Sequence, residues 1–170
     1  MLTKPLFNIV LLSPEIPQNT GNVIRLCSNV GARLHLVEPL GFRLDNAKLR
    51  RAALDYRDMA DIICHPSVES LLELLPMDRV YGAVTNGEVR YDSPRYMAGD
   101  TILFGTESSG LPQDVVSRLL PGNHIRIPMK PSNRSLNLSN AVAIIAYEIW
   151  RQMGFANSSS RPLPSQVHFS

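Results

Sequence analysis

The sequence lacks most of the features that would assign a common catalytic chemistry. Two cysteines, Cys27 and Cys64, are too few and too far apart for a disulfide framework or a thiolate metal site. The four histidines are scattered without metal-ligand spacing, so no metal is predicted. No signal peptide and no apolar run of membrane-spanning length can be recognised. We therefore expect no membrane association, a reducing cytoplasmic location, and a buried thiol at Cys27.

Several nucleotide-binding and hydrolytic motifs are also missing. The chain has neither a Walker loop nor a GxGxxG sequence, which argues against a Rossmann dinucleotide site. A G-x-S-x-G nucleophile elbow is absent, because residues 105–110 read GTESSG. No histidine lies near this loop in the sequence, as a serine hydrolase would require. Serine-hydrolase chemistry is therefore not predicted.

The charge is nearly balanced, with 17 basic against 15 acidic residues and a net charge of +2. That total is too small to argue for nucleic-acid binding, so local clusters have to be considered. One basic cluster comprises Lys48, Arg50, Arg51 and Arg57, and another comprises Arg126, Lys130 and Arg134. Taken alone, the first cluster is best explained as a solvated helix face.

Strand-like apolar runs alternate with helical patterns along the 170 residues. This alternation predicts a single-domain α/β fold, with a mostly parallel sheet and helices on both faces. The predicted strands are Phe7–Leu12, Leu34–Val37, Ile62–Cys64, Val80–Val84, Thr101–Phe104 and Ile125–Ile127. The predicted helices are Gln18–Val30, Val68–Leu75, Asp114–Leu120 and a last helix with Ser139 as its N-cap. Residues 1–156 form the domain, and the Ser- and Pro-rich segment 157–170 is expected to be a flexible tail.

Three polar loops each leave a strand and enter a helix: Ser13–Asn22, Gly105–Pro112 and Pro128–Ser139. Ligands of parallel sheets bind beyond the carboxyl ends of the strands, so these loops could build one site. Glycines for close backbone approach, one carboxylate and two arginines suit a nucleoside ligand with a phosphate-bearing partner. The residues alone indicate no more than this class of ligand.

Three sequence motifs extend this interpretation. NTGNVIRLC (Asn19–Cys27), LFGTESSGLP (Leu103–Pro112) and IPMKPSNRSLNLSNAVAIIAYE (Ile127–Glu148) resemble the signature motifs of the SPOUT class of RNA 2′-O-methyltransferases. The resemblance spans residues 6–154. It is strongest to the small single-domain members that methylate the wobble nucleotide, a cytidine or modified uridine at position 34, of bacterial leucine tRNAs.

The resemblance implies a C-terminal trefoil knot, which periodicity could not have revealed. It also implies S-adenosylmethionine as cofactor, with no metal, and a homodimer whose active site is completed by the second subunit. The residues that match cofactor-binding positions are Ala83, Gly105, Ile127, Ser135, Thr85 and Leu136. The residues that match catalytic positions are Arg25, Arg134, Asn19, Glu107 and Asn140.

The resemblance implies that Arg25 lies at the target ribose, and the chemistry of each residue type then suggests its role. Arginine stays protonated, so Arg25 is expected to orient the ribose and stabilise a developing alkoxide rather than act as a base. Arg134 could hold a phosphate or orient the cofactor. Asn19 and Asn140 are expected to order loops, whereas Glu107 could either anchor a loop or contact substrate.

Two departures from the family pattern bear on function. Thr106 stands where many relatives have proline, and we expect no appended RNA-binding domain. The tRNA is therefore expected to bind to the knot fold itself, through the Lys48–Arg57 cluster of both subunits. Two alternatives remain open: 2′-O-methylation of another tRNA or rRNA nucleotide, and a non-catalytic RNA-binding or assembly factor on the same fold.

Overall fold

The protein forms a parallel seven-stranded sheet covered by helices. The structure is a computed structural model that describes residues 5–53, 62–133 and 135–159. The strands are β1 Asn8–Leu12, β2 Arg33–Val37, β3 Ile62–His65, β4 Val80–Ala83, β5 Val89–Arg90, β6 Thr101–Phe104 and β7 His124–Arg126. The α-helices are α1 Pro17–Val30, α2 Ala47–Ala53, α3 Val68–Leu72, α4 Gln113–Val116 and α5 Leu138–Gln152. The spatial order of the strands is β3-β2-β1-β6-β4-β7-β5.

Helices bury both faces of this sheet, as the alternating pattern predicts. On one face, α1, α2 and α5 contribute the buried side chains Val23, Ile24, Leu49, Val142 and Ile145. On the other face, α3 and α4 contribute Leu71, Leu72 and Val115. The central strands β1 and β6 are buried almost throughout, which explains their continuous apolar sequences. The predicted α/β class is confirmed, whereas the trefoil knot stays a prediction.

Helix α1 lies between α2 and α5, against both of which it packs. A Cβ atom at Gly21 would lie 2.5 Å from the Cβ atom of Ala52. The missing side chain at Gly21 therefore lets α2 approach α1 closely. Helix α2 carries Lys48, Arg50 and Arg51 of the first basic cluster, all exposed, while Arg57 lies outside the described residues.

The structure corrects several predicted boundaries. The two-residue strand β5 was not predicted, and the helices predicted over Val68–Leu75 and Asp114–Leu120 end early, at Leu72 and Val116. The N-cap prediction for Ser139 is wrong, because Asn137 caps α5. The Asn137 side chain accepts hydrogen bonds from the amides of Ser139 and Asn140, 3.0 and 3.4 Å away. Asparagine and serine are equally good caps, and α5 starts at the first of the two.

Candidate functional site

The first two polar loops are joined by a reciprocal pair of carboxylates. The Glu107 carboxylate accepts hydrogen bonds from the amides of Glu15 and Ile16, at 2.7 and 3.0 Å. The Glu15 carboxylate in turn accepts from the amide and hydroxyl of Ser108, at 2.9 and 2.7 Å. Each loop thus satisfies backbone amides of the other, and the two loops are fixed as one unit. We call this pair the carboxylate clamp.

A chain of carboxamides extends the clamp to the third loop. Asn19, which is 5% exposed, donates to Glu107 over 3.2 Å and accepts from Asn137 Nδ2 over 3.0 Å. The Asn137 oxygen then holds the first turn of α5, including the Ser139 hydroxyl at 2.7 Å. One continuous set of hydrogen bonds therefore links all three loops at the carboxyl edge of the sheet.

The loop after β6 is closed on itself. Thr106 and Gly110 exchange backbone hydrogen bonds of 3.2 and 2.9 Å, and Gly110 has a φ of +72°. A Cβ atom at Gly105 would lie only 1.9 Å from the Gly110 carbonyl carbon, so this approach requires glycine. Thr106 is compatible with the turn: its amide makes a bond that proline could not make, and its hydroxyl accepts from the Ser109 amide at 3.1 Å.

The predicted cofactor-binding residues lie at or beyond the carboxyl ends of three adjacent strands. Ala83 ends β4, Gly105 follows β6 and Ile127 follows β7; β4 lies between the other two strands. Ala83 and Ile127 are half-buried and Gly105 is buried. Thr85 is exposed in the turn after β4. The exposed residues Ser135 and Leu136 precede α5, and Arg134 lies outside the described residues.

Two of the predicted catalytic residues line a groove between α1 and α5. The groove has a volume of about 300 Å³, and its walls are formed by Asn22, Arg25, Leu26, Asn29, Ser139, Asn140 and Ala143. Arg25 is exposed. The α5 wall of the groove is held by Asn137, and so by the same hydrogen bonds that fix Glu107 and Asn19. The structure therefore brings Arg25, Asn140, Asn19 and Glu107 into one region.

Comparison with known proteins identifies the family. The sequence profile of the SpoU rRNA Methylase family matches residues 6–147. The chain belongs to this family. Its relatives include a tRNA (cytidine(34)-2′-O)-methyltransferase of Burkholderia ambifaria, 50% identical over 152 residues that cover 88% of this chain and 97% of that protein. A protein of the same name from Escherichia coli K12 is 45% identical over 156 residues, covering 92% and 99%.

Solved structures agree with the assignment of this chain to the SpoU family. One, described as giving structural insights into the 2-OH methylation of C/U34 on tRNA, has a TM-score of 0.81 and 45% identity, covering 88% of this chain and 97% of that one. The SpoU methyltransferase AviRb from Streptomyces viridochromogenes, solved in complex with AdoMet, has a TM-score of 0.76 at 23% identity, covering 86% and 57%. The latter likeness concerns the fold alone.

Two residues that organise this SpoU-family site were missed from the sequence. Asn137 lies within the third motif, but its role as both cap and link depends on Asn19, 118 residues away. Glu15 pairs with Ser108 across 93 residues. A local signal existed for Asn137, because an asparagine directly before an apolar helix is a strong N-cap candidate. No local signal pointed to Glu15.

Further features of the described part of this SpoU-family chain concern a thiol, metal-binding side chains and membrane spans. Cys27 is buried as predicted, and burial raises the pKa of its thiol to about 12, which keeps it protonated at neutral pH. Within the described ranges, no three His, Cys, Asp or Glu side chains are grouped to hold a metal ion. Among the same residues, no helix is long and apolar enough to cross a membrane.

Proposed function

We propose that this SpoU-family chain methylates the ribose 2′-hydroxyl of nucleotide 34 of tRNA, a cytidine or a modified uridine, with leucine tRNAs as substrates. S-adenosylmethionine is the methyl donor. Two relatives, 45% and 50% identical and matched over nearly their whole length, have names that support this reaction and this position. The observation that carries the proposal is the single hydrogen-bonded unit formed by three motif loops beside the groove that contains Arg25.

The residues at the strand ends fit the proposed cofactor. Ala83, Gly105 and Ile127 offer backbone groups and small or apolar side chains, with no charged side chain among them. A neutral, partly apolar surface suits an adenosyl group, and the bare backbone at Gly105 permits close approach. Leu136 and Ser135 would complete this surface from the third loop, with Thr85 at its rim. S-adenosylmethionine supplies an electrophilic methyl group and leaves as S-adenosylhomocysteine.

Arg25 is the residue that we assign to the reacting hydroxyl. It projects into the groove between α1 and α5, and it makes no ion pair within the described part of the chain. Its permanent charge can orient the ribose or an adjacent phosphate and stabilise negative charge that develops on the 2′-oxygen. A side chain held by an internal carboxylate would be less available for that task.

The other predicted catalytic residues are assigned positioning roles. The carboxylate of Glu107 accepts three hydrogen bonds from the first loop, so we assign it to loop anchoring rather than to substrate contact. Asn19 transmits this anchoring to Asn137, and Asn140 forms part of the groove wall. Arg134 is proposed to bind a substrate phosphate, as its planar guanidinium group suits.

The RNA-binding surface is proposed to include α2. Lys48 and Arg51 are exposed on this helix, which packs against α1 at Gly21, one helical turn before Arg25. Contacts from such residues to phosphates would strengthen binding in a salt-dependent way. Replacing both by alanine should raise KM and flatten its dependence on salt while leaving kcat unchanged. An unchanged salt dependence would remove α2 from the RNA-binding surface.

The remaining expectations form part of the same proposal. Residues 1–156 are the catalytic domain, with a C-terminal trefoil knot, and residues 157–170 are a tail not needed for activity. The enzyme acts as a cytoplasmic homodimer in which the second subunit completes the active site. The exposed Tyr147, which contacts the Trp150 ring on α5, is a candidate for the subunit contact.

One assay separates the proposed function from its alternatives. The protein is incubated with tritiated S-adenosylmethionine and either bulk tRNA or ribosomal RNA, and the labelled nucleoside is then mapped. Label on the 2′-oxygen of nucleotide 34 is the expected result. Label at another RNA position would replace the proposed target. Tight cofactor binding without incorporation into any RNA would instead favour a non-catalytic RNA-binding factor.

A further inference from the structure

The two halves of the carboxylate clamp hold different parts of the site. Glu107 belongs to the second loop but holds the backbone of the first, because it accepts from two amides of that loop and from the Asn19 side chain. In these contacts the second loop contributes only a side chain. Glu15 belongs to the first loop and accepts from the amide of Ser108 in the second. The main chain of the second loop is therefore tied to the first loop by Glu15.

The second loop carries a proposed cofactor-binding residue, Gly105, at its base. Just above this base, Thr106 and Gly110 exchange backbone hydrogen bonds, which close the loop on itself. These bonds determine the shape of the loop but not its inclination to the sheet. At the tip, the amide and the hydroxyl of Ser108 both donate to the Glu15 carboxylate, at 2.9 and 2.7 Å. Because the base continues from β6 and the tip is tied to Glu15, the loop has one defined orientation.

The backbone of Glu15 is itself supported by the turn after β2. The amide of Gly41 in this turn donates to the Pro14 carbonyl over 2.9 Å. A Cβ atom at Gly41 would lie 2.8 Å from the Glu15 Cα atom and 2.9 Å from the Glu15 carbonyl oxygen. The two backbones therefore approach each other closely, as glycine permits. Glu15 thus rests on one fixed segment and holds another.

The donors that meet each carboxylate decide which substitutions the clamp tolerates. Glu107 faces three N–H donors, so a glutamine there would turn its NH₂ group toward one of them. Glu15 faces one N–H group and one hydroxyl, and a hydroxyl can accept as well as donate. A glutamine at position 15 can therefore accept from the Ser108 amide and donate to the Ser108 hydroxyl oxygen. Both bonds survive the loss of the charge.

We propose that Glu15 is a positioning residue for S-adenosylmethionine binding, which holds the second loop through Ser108 and thereby orders the backbone that receives the cofactor. The inference rests on the proposed function. The role of Glu15 is geometric, so it requires two hydrogen bonds but no charge. It acts on cofactor binding, whereas the reacting ribose is assigned to Arg25. A loop that is ordered beforehand lowers the cost of binding, because the ligand does not have to order it.

Two substitutions at Glu15 test the proposal by calorimetric titration with S-adenosylhomocysteine, which needs no RNA. Glu15→Ala should raise the Kd by roughly tenfold, because both bonds to the loop are lost. Glu15→Gln should keep the Kd within about threefold of the wild-type value. In the protein without ligand, amide hydrogen exchange over residues 105–110 should become faster in Glu15→Ala but not in Glu15→Gln. Glu73→Ala, at an exposed glutamate beyond the end of α3, is the control and should change neither quantity.

Gly41 and Ser108 provide independent tests of the same path. Gly41→Ala should also raise the Kd, because its methyl group has to displace the Glu15 backbone. Gly122→Ala is the matched control, since a Cβ atom there meets nothing within 4 Å. Ser108→Ala should weaken cofactor binding in the wild-type background. It should add nothing to Glu15→Ala, because the hydroxyl has then already lost its partner. Thermal melting shows whether each variant is folded.

Three results would overturn the inference. Equal weakening of cofactor binding by Glu15→Gln and Glu15→Ala would mean that the charge matters rather than the two bonds. An unchanged Kd in Glu15→Ala with a raised KM for tRNA would place Glu15 at the RNA. Additive effects of Glu15→Ala and Ser108→Ala would separate the two residues. Methylation at another RNA position would overturn the proposed target alone, whereas a wild-type protein that does not bind S-adenosylhomocysteine would overturn both proposals.

Discussion

The side chains of Asn19 and Asn137, 118 residues apart in the sequence, share a hydrogen bond of 3.0 Å that joins the first turns of α1 and α5. This bond connects the second loop to the start of α5. Asn19 is held by Glu107 in the second loop, and Asn137 holds the amides that begin α5. This bond therefore joins the starts of the two helices that form the walls of the groove.

Two substitutions at Asn137 should separate its two roles. Asn137→Ala removes both the cap and the link to Asn19, and it should lower the free energy of unfolding by about 1–2 kcal/mol and reduce methylation. Asn137→Asp keeps a good capping oxygen but places an acceptor against the Asn19 oxygen. Its thermal stability should stay above that of the alanine variant while its activity remains low. Full activity of Asn137→Asp would show that the link to Asn19 is dispensable.

Arg25→Ala should lower kcat by a factor of about 10²–10³, because the proposed role of Arg25 is to stabilise negative charge on the 2′-oxygen. Arg25→Lys keeps a positive charge but lacks the planar guanidinium group. Its kcat should lie between those of the wild-type protein and Arg25→Ala. Calorimetric titration with S-adenosylhomocysteine should give the same Kd for all three proteins. Weaker cofactor binding by Arg25→Ala would place the arginine in the cofactor site instead.

Glu107→Gln should weaken the carboxylate clamp. The carboxylate accepts three hydrogen bonds, and an amide group in its place would turn a donor toward other donors. The free energy of unfolding in urea should fall by about 1–3 kcal/mol. Glu88→Gln, at an exposed glutamate, is the control and should leave stability unchanged. Unchanged stability with lost activity would return Glu107 to a direct role at the substrate.

The stacked pair His35 and His65 should make the protein less stable in acid. Their ring nitrogens lie 2.9 Å apart. Burial lowers the pKa of His35 to about 4, and the charges of His65 and Arg33 add to the effect. The unfolded chain binds this proton near pH 6.5, so stability is complete above that pH and falls as the pH drops toward 4. Urea denaturation across this pH range should show the loss of stability. His35→Gln should reduce the slope of the free energy of unfolding against pH. An identical slope in the variant would contradict the assignment of this loss of stability to His35.

Deleting residues 157–170 should leave methylation unchanged. The last described ring contact lies just before this segment, where Phe155 packs edge-on against Trp150 and the indole N–H donates to the Ala156 carbonyl over 2.9 Å. A longer deletion from Phe155 onward should lower the melting temperature, because it removes both contacts. Loss of activity in the shorter deletion would show that the tail reaches the substrate or the second subunit.

Sequence reasoning succeeded where the physical signal was local. The continuous apolar runs of β1 and β6 reflect burial on both sides, and the first helix was predicted to within one residue. The two-residue strand β5 is too short to show an alternating pattern of apolar and polar residues. At the start of α5, two residues that could both act as N-cap lie two positions apart, and the sequence does not decide between them. The clamp could not be predicted, because the partners Glu15 and Ser108 are distant in the chain. Likewise, the groove exists only once α1 and α5 pack together.

The strand order has a consequence for how the protein emerges during synthesis. Strand β1 is made first, but it is flanked by β2 and by β6, which ends at Phe104. One backbone edge of a largely apolar strand therefore stays unpaired until more than half of the chain has been made, and such edges favour aggregation. The groove forms later still, after α5. A ribosome stalled before Asn137 would hold a chain in which all seven strands have been made but the α5 wall of the groove is still missing.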